Sequence, residues 1–224
     1  MFGHFYNKNL RKLVVAFGTL FNNIVVEHVN PDGGDPFLIR VPITYSPQEK
    51  FIRRLLEPSS IVDETRIETQ LPKLSYIITS ITTDPSRRRN KFSSTTSLNT
   101  VNGNCQTTGN TIFQEVPVNV NFSLFIYTRH IDDTLQIVEQ VIPYFNPEHF
   151  ITIDMNAVHS NLTIPIIMTG NSISERYDGD LSSRRINIST INFTAKSFIF
   201  GEVFPASTIN TVGVSAGLDF GLYQ

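Results

Sequence analysis

Ser215 is the residue of this 224-residue sequence that comes nearest to a catalytic nucleophile. It stands in Gly213-Val214-Ser215-Ala216-Gly217, a match to G-x-S-x-G. In the nucleophile-elbow fold a sharp strand-to-helix turn exposes such a serine, and an acid and then a histidine follow it in the chain. Here seven residues follow Gly217 and none is histidine. All five histidines, His4, His28, His130, His149 and His159, lie upstream, so the pattern reads as a glycine-bearing terminus. His149, Asp154 and His159 carry metal-ligating atoms, but their spacing fits neither the H-E-x-x-H helix nor a zinc finger. Asp178-Gly179-Asp180 resembles a fragment of a calcium loop without its third acid and distal glutamate, and reads as a turn before a strand. Arg87-Arg88-Arg89-Asn90-Lys91 is a basic cluster that suits phosphate or an acidic protein patch as well as it suits solvent. Asn121-Phe122-Ser123, Asn161-Leu162-Thr163, Asn187-Ile188-Ser189 and Asn192-Phe193-Thr194 have the form of glycosylation sequons, three of them inside predicted strands. The sequence holds no Walker loop, dinucleotide fingerprint or CxxC pair.

With little chemistry to place, composition sets the class. Hydrophobic residues make up 40% of the chain, enough for a sizeable core, while charged residues are only 17%, below the usual quarter. Asn, Ser and Thr supply the remaining polarity, which fits β-rich structure with uncharged surfaces. A net charge of −2 gives no electrostatic case for specific nucleic-acid binding. Cys105 is alone, so no internal disulfide forms, and a reducing cytosol suits folding. Leu13–Phe21 follows Lys8, Arg11 and Lys12 in the manner of a short signal peptide. No small-x-small cleavage site follows, and the run is too short to span a bilayer.

The predicted elements alternate between the two regular periods. Leu10, Leu13, Val14, Phe17, Leu20, Phe21 and Ile24 mark an amphipathic helix over roughly 9–22. Ile24–Val29 and Phe37–Tyr45 read as a hairpin across the turn Pro31-Asp32-Gly33-Gly34. Ser46-Pro47-Gln48-Glu49 starts a second helix that runs to about Leu56. Arg66–Leu71 and Leu74–Thr83 read as strands on either side of Pro72. Asp84–Gly109 is too long for a quiet loop and reads as a polar, exposed excursion, a flexible hairpin being one form it can take. Val118–Thr128 has a period of two, with Val118, Val120, Phe122, Leu124 and Ile126 on one face and Asn119, Asn121 and Ser123 on the other, which Phe125 and Tyr127 continue. A third helix follows, predicted to be capped by Asp133 with Gln136, to bury Ile131, Leu135, Val138 and Ile142, and to stop at Pro143. Its Glu139 and Gln140 are expected on a free polar edge. Phe150–Met155, Asn161–Ile173 and Arg185–Phe200 complete the strands. The fold class is α+β: a mixed, largely antiparallel sheet flanked by two to three helices. Residues 1–205 form one domain with the excursion at 84–109, and 206–224 form a tail or arm.

Asp132-Asp133-Thr134-Leu135-Gln136-Ile137-Val138-Glu139-Gln140-Val141-Ile142-Pro143-Tyr144-Phe145-Asn146-Pro147 resembles the tail sheath stabiliser and completion proteins of T-even-type contractile-tailed bacteriophages. Met1–Asn7, Ile39–Tyr45, Thr69–Pro72 and Asp178–Ile186 resemble further segments of that family in the same order. Two stretches depart from it: Asp84–Gly109, and a short glycine-bearing end in place of a longer proline-rich extension. The resemblance implies a tail-terminator-like fold, no catalysis and no cofactor or metal. It implies a hexameric ring at the head-proximal end of the tail, in the virion and assembled in the host cytoplasm. Its expected partners are further copies of the chain, the sheath protein, the tube or tube-terminator protein and the head-completion or neck proteins, with no membrane. Phe2, Phe5 and Tyr6, Arg87, Arg88 and Arg89, Glu139 and Gln140, and Asp178, Asp180, Arg184 and Arg185 are the candidate interface residues. The competing readings are a terminator of a non-contractile tail tube, an esterase-like hydrolase resting on Ser215, and a secreted binding module.

Overall fold

The computed structural model describes residues 4–29, 34–50, 52, 71–90, 92–101, 104–156, 158–177 and 185–207. In chain order these hold α1 (Asn9–Leu20), β1 (Val25–His28), β2 (Phe37–Arg40), β3 (Ile43–Tyr45), β4 (Lys73–Thr83), β5 (Ser94–Val101), β6 (Asn104–Phe113), β7 (Val116–Thr128), α2 (Ile131–Val141), β8 (His149–Ile153), β9 (Leu162–Tyr177), β10 (Arg185–Ile199) and β11 (Val203–Ser207). Single-turn 3-10 segments occupy Pro85–Arg87 and Ile142–Phe145. The predicted strand Arg66–Leu71, most of the second helix and the tail beyond Ser207 lie outside the described residues. Gln48–Lys50 and Ile52 are helical, as the Ser-Pro-x-Glu start predicts.

Six strands form the main sheet in the order β3-β4-β7-β10-β9-β8. β3 runs parallel to β4, and every other pairing in it is antiparallel. This is the mixed, largely antiparallel sheet expected from the alternation. The central strand β7 shows why that alternation is incomplete. Its first face, Val118, Val120, Phe122, Leu124 and Ile126, is buried throughout. Phe125 and Tyr127 on its second face are buried as well, in a smaller cluster with Ile188, against which Ile52 and Leu71 pack. The sheet is therefore covered on both sides at one end.

α1 supplies the centre of the larger core. Phe17 is fully buried and stacks on Phe122, with centroids 4.3 Å apart, and meets Phe193 edge-on at 5.4 Å. Phe21 and Phe145 extend the aromatic layer to Phe193. Such offset and edge-on pairs add to the free energy of burial itself.

Three expectations are corrected. The strand predicted over Phe37–Tyr45 divides at Val41-Pro42. Val41 is buried and donates its N–H to the Ile24 carbonyl, whereas Pro42 has no N–H and only accepts, from Leu74. The chain thus leaves the β1–β2 hairpin and enters the main sheet as β3. Second, Asp133 does not cap α2: His130 occupies the N-cap without a side-chain bond, and Asp133 is inside the first turn, nearly buried against His28. Asp132 and Asp133 still place negative charge at the positive end of the helix. Third, the apolar stripe of α2 is turned. Asp133 and Thr134 take inward positions, paired with His28 and Thr128. Ile137, Val138 and Val141 are buried, while Ile131 and Leu135 are 42% and 45% exposed. The α-helix ends before Pro143, and Ile142–Phe145 continue as a 3-10 turn.

The polar excursion is a β-hairpin. β5 and β6 pair antiparallel, and β11 joins β6, giving a three-stranded sheet in the order β11-β6-β5. The start of the predicted terminal arm, Ala206 and Ser207, therefore lies in this sheet.

Candidate functional site

The Asn- and Thr-rich sequon pattern forms a ladder of side-chain hydrogen bonds across the sheet. Asn121 Nδ2 donates to Ser80 Oγ at 2.8 Å and its Oδ1 accepts from Thr194 Oγ1 at 2.8 Å. Ser123 donates to Asn192 Oδ1 at 2.7 Å, and Ser189 to Asn171 Oδ1 at 3.0 Å. Cross-strand pairs of this kind stabilise a sheet without charge. Among the described residues no three His, Cys, Asp or Glu side chains converge as metal ligands. His149 packs against Phe145 and His159 stacks on Phe200. Ser215 lies outside the described residues.

The basic cluster divides into two kinds of residue. Arg87 is turned inward: Nε donates to Asp84 Oδ2 at 2.8 Å, and Nη2 donates to the Val118 carbonyl at 3.1 Å and Asn119 Oδ1 at 2.9 Å. Its guanidinium lies 5.3 Å from the centre of the Phe198 ring. Asp84 is held well below the usual carboxylate range, chiefly by the Ser86 hydroxyl and then by Arg87. Arg87 thus joins the root of the β5–β6 hairpin to β7 and β10. Arg88 and Arg89 are exposed.

The predicted polar edge of α2 divides in the same way. Glu139 is exposed. The expectation that Gln140 is free is corrected: its Nε2 donates to the Val25 carbonyl at 2.7 Å and its Oε1 faces the Val25 N–H at 3.5 Å. Strand β1 pairs with β2 on one side only, and the helix offers hydrogen bonds to its other side.

Glu139 and Gln140 also line a groove of about 550 Å³ between the C-terminal end of α1 and the 3-10 turn after α2. Leu20, Phe21, Ile24 and Phe145 form its apolar walls, and Tyr144, 70% exposed, stands at its lip. Periodicity missed this groove because Tyr144 belongs to a turn of period three placed directly after a proline. The aromatic start lies at the opposite end of α1. Phe5 is 49% and Tyr6 62% exposed, while Asn7 anchors the segment behind them through Nδ2 to the carbonyls of Phe200 and Gly201 at 3.2 and 2.6 Å. Phe2, Asp178, Asp180 and Arg184 lie outside the described residues. Arg185 opens β10 opposite Tyr177.

The described surface thus carries exposed aromatic groups at both ends of α1, Phe5 and Tyr6 before it and Tyr144 beside the groove after it. No described helix is long and apolar enough to cross a membrane. The chain is 34% identical over 215 residues to the tail completion protein gp15 of Enterobacteria phage T4, covering 91% of this chain and 74% of that protein. The family described as the T4-like virus Myoviridae tail sheath stabiliser matches residues 4–219. A match of that length takes in the sheet, α1, α2 and the β5–β6 hairpin, and on it this chain belongs to the T4-like tail sheath stabiliser family, structural proteins of the phage tail rather than enzymes.

Proposed function

We propose that copies of this chain close into a ring, of six as the family resemblance implies, that caps the head-proximal end of a contractile tail. The ring holds the last turn of sheath and the end of the tube together and offers the opposite face to neck proteins of the head. The observation that carries this reading is the match to a tail completion protein across nine-tenths of the chain. The distribution of exposed groups supports it. A closed ring needs two different complementary patches on each subunit, and the exposed Phe5 and Tyr6 and the groove, at the two ends of α1, are our candidates for them. A stable contact of this kind buries roughly 1,200–2,000 Å². Exposed Arg88 and Arg89 and the corner at Arg185 are further surfaces for sheath, tube or neck. The test is to add the purified chain to tails that lack it and image them. Rings at the head-proximal end, with sheaths that stay extended, are expected; bare ends and sheaths that shed or contract would refute the reading.

A further inference from the structure

We propose that the aromatic start of one copy, Phe5 and Tyr6, seats in the groove between α1 and α2 of the next copy and so forms the subunit contact of the ring. The inference rests on the ring reading above and names the contact that would close it.

Three observations carry it. First, the two surfaces match in kind: the groove is walled by Leu20, Phe21, Ile24 and Phe145, and the start offers two aromatic rings that its own fold leaves about half exposed. Second, each surface carries charges of both signs that can pair with the other: exposed Lys8 and Arg11 beside the start and Glu202 beside its anchor, and exposed Glu139 at the groove and Arg40 bonded to Asn23 in its wall. Third, these two residues cannot fill the groove of their own chain. Asn7 is fixed to the Phe200 and Gly201 carbonyls near the N-terminal end of α1. The groove lies beyond the other end of that helix, about 18 Å away at 1.5 Å per residue. Phe5 is two residues from the anchor and reaches about 7 Å. A second copy has no such restriction. A helix carrying the insert at one end and the receptor at the other makes a head-to-tail contact, which gives a ring where its rotation closes and an open filament where it does not. Anchoring at Asn7 also limits the ordering needed on binding.

The experiment places a photo-reactive benzoylphenylalanine at Tyr6 in the full-length chain, assembles it, irradiates it and maps the adducts by mass spectrometry. Adducts between copies within residues 20–24 or 139–145 are expected. A Phe5→Ala/Tyr6→Ala variant and a Glu139→Lys variant, all at exposed positions, should each weaken self-association at least tenfold while unfolding like the parent. Rings whose adducts map within one copy or to another surface would overturn the inference and leave the ring reading standing. A chain that never self-associates, alone or on tails, would overturn both.

Discussion

Gln136 holds Glu27 by both halves of its amide: Oε1 accepts from the Glu27 N–H at 2.9 Å, and Nε2 donates to the Glu27 carbonyl at 3.1 Å. One helical turn later Gln140 approaches Val25 in the same way. Residues four apart share a helix face, and residues two apart on a strand direct their backbone groups to the same side. The two glutamines therefore stand where a third strand would, and they cover an edge that would otherwise be open to pairing with another chain.

Replacing both, Gln136→Ala with Gln140→Ala, removes these four bonds; at about 0.5–1.5 kcal/mol net each they set a ceiling of about 2–6 kcal/mol, and water reaching the freed groups brings the expected loss to the low end of that range. Urea unfolding measures this. Gln136→Glu should lose part of it, because a carboxylate cannot donate to the Glu27 carbonyl. A double variant as stable as the parent would show that the amides add nothing.

Gly18 is the helical position where helix propensity and packing conflict. A Cβ there would lie 2.3 Å from the Tyr76 hydroxyl oxygen and 2.7 Å from its Cζ. That ring is held in place: its hydroxyl donates to the Val14 carbonyl at 3.0 Å, and Phe17 and Tyr45 pack on it. Alanine favours a helix by about 1 kcal/mol over glycine. Overpacking a filled core costs about 1–3 kcal/mol. Gly18→Ala should therefore destabilise the protein, with a lower melting temperature in a thermal scan, and a rise would mean that the ring moves aside freely.

Burial pushes the Tyr127 phenol up to about 12 from 10.0, with the Ser75 hydrogen bond pulling the other way. Tyr76 is raised too, by burial and then by Tyr45. A raised folded-state value means that the unfolded chain ionises first. The stability linked to Tyr127 is complete below pH 10.0 and is lost as pH rises through about 12. Tyr127→Phe should reduce the loss of stability measured between those two values, leaving what Tyr76 contributes.

Arg87 and its two neighbours should separate cleanly. Arg87→Ala removes the bonds to Asp84 Oδ2, Asn119 Oδ1 and the Val118 carbonyl at the root of the β5–β6 hairpin, leaving Asp84 to Ser86 alone, so amide hydrogen exchange in that hairpin should speed up. Arg88→Ala and Arg89→Ala, at exposed positions, should leave exchange unchanged. The Asp84 carboxyl is held below its usual 3.8, so its contribution is in place above that pH and is lost as acid takes the folded carboxyl through its lowered value. Equal exchange in all three variants would deny Arg87 its bracing role.

Much of the architecture was legible because the determinants are local. The period of two in Val118–Thr128 and the helical stripe through Leu13 and Phe17 each describe one chain segment against one core, although the helix ends at Leu20 and Phe21 and Ile24 are buried from the turn that follows it. What escaped depends on distant partners. Asp133 follows a capping pattern, yet His28, 105 positions away in sequence, draws it inward and turns α2 about its axis. Gln140 reads as solvent-facing until β1 is placed beside it. The groove was invisible because its walls come from α1 and from the 3-10 turn after α2, brought together only by the fold. The family resemblance starts from the stretch around α2 and extends to segments between Met1–Asn7 and Asp178–Ile186, and it carried the functional reading where spacing and composition alone carried none.

Self-association is the property on which the account turns. Sedimentation of the purified full-length chain across a wide concentration range, alone and with capping-deficient tails, measures it directly. The account predicts a discrete closed species, six times the chain mass, in solution or bound one per tail end. A chain that stays monomeric at every concentration and leaves the tail ends unoccupied would contradict it.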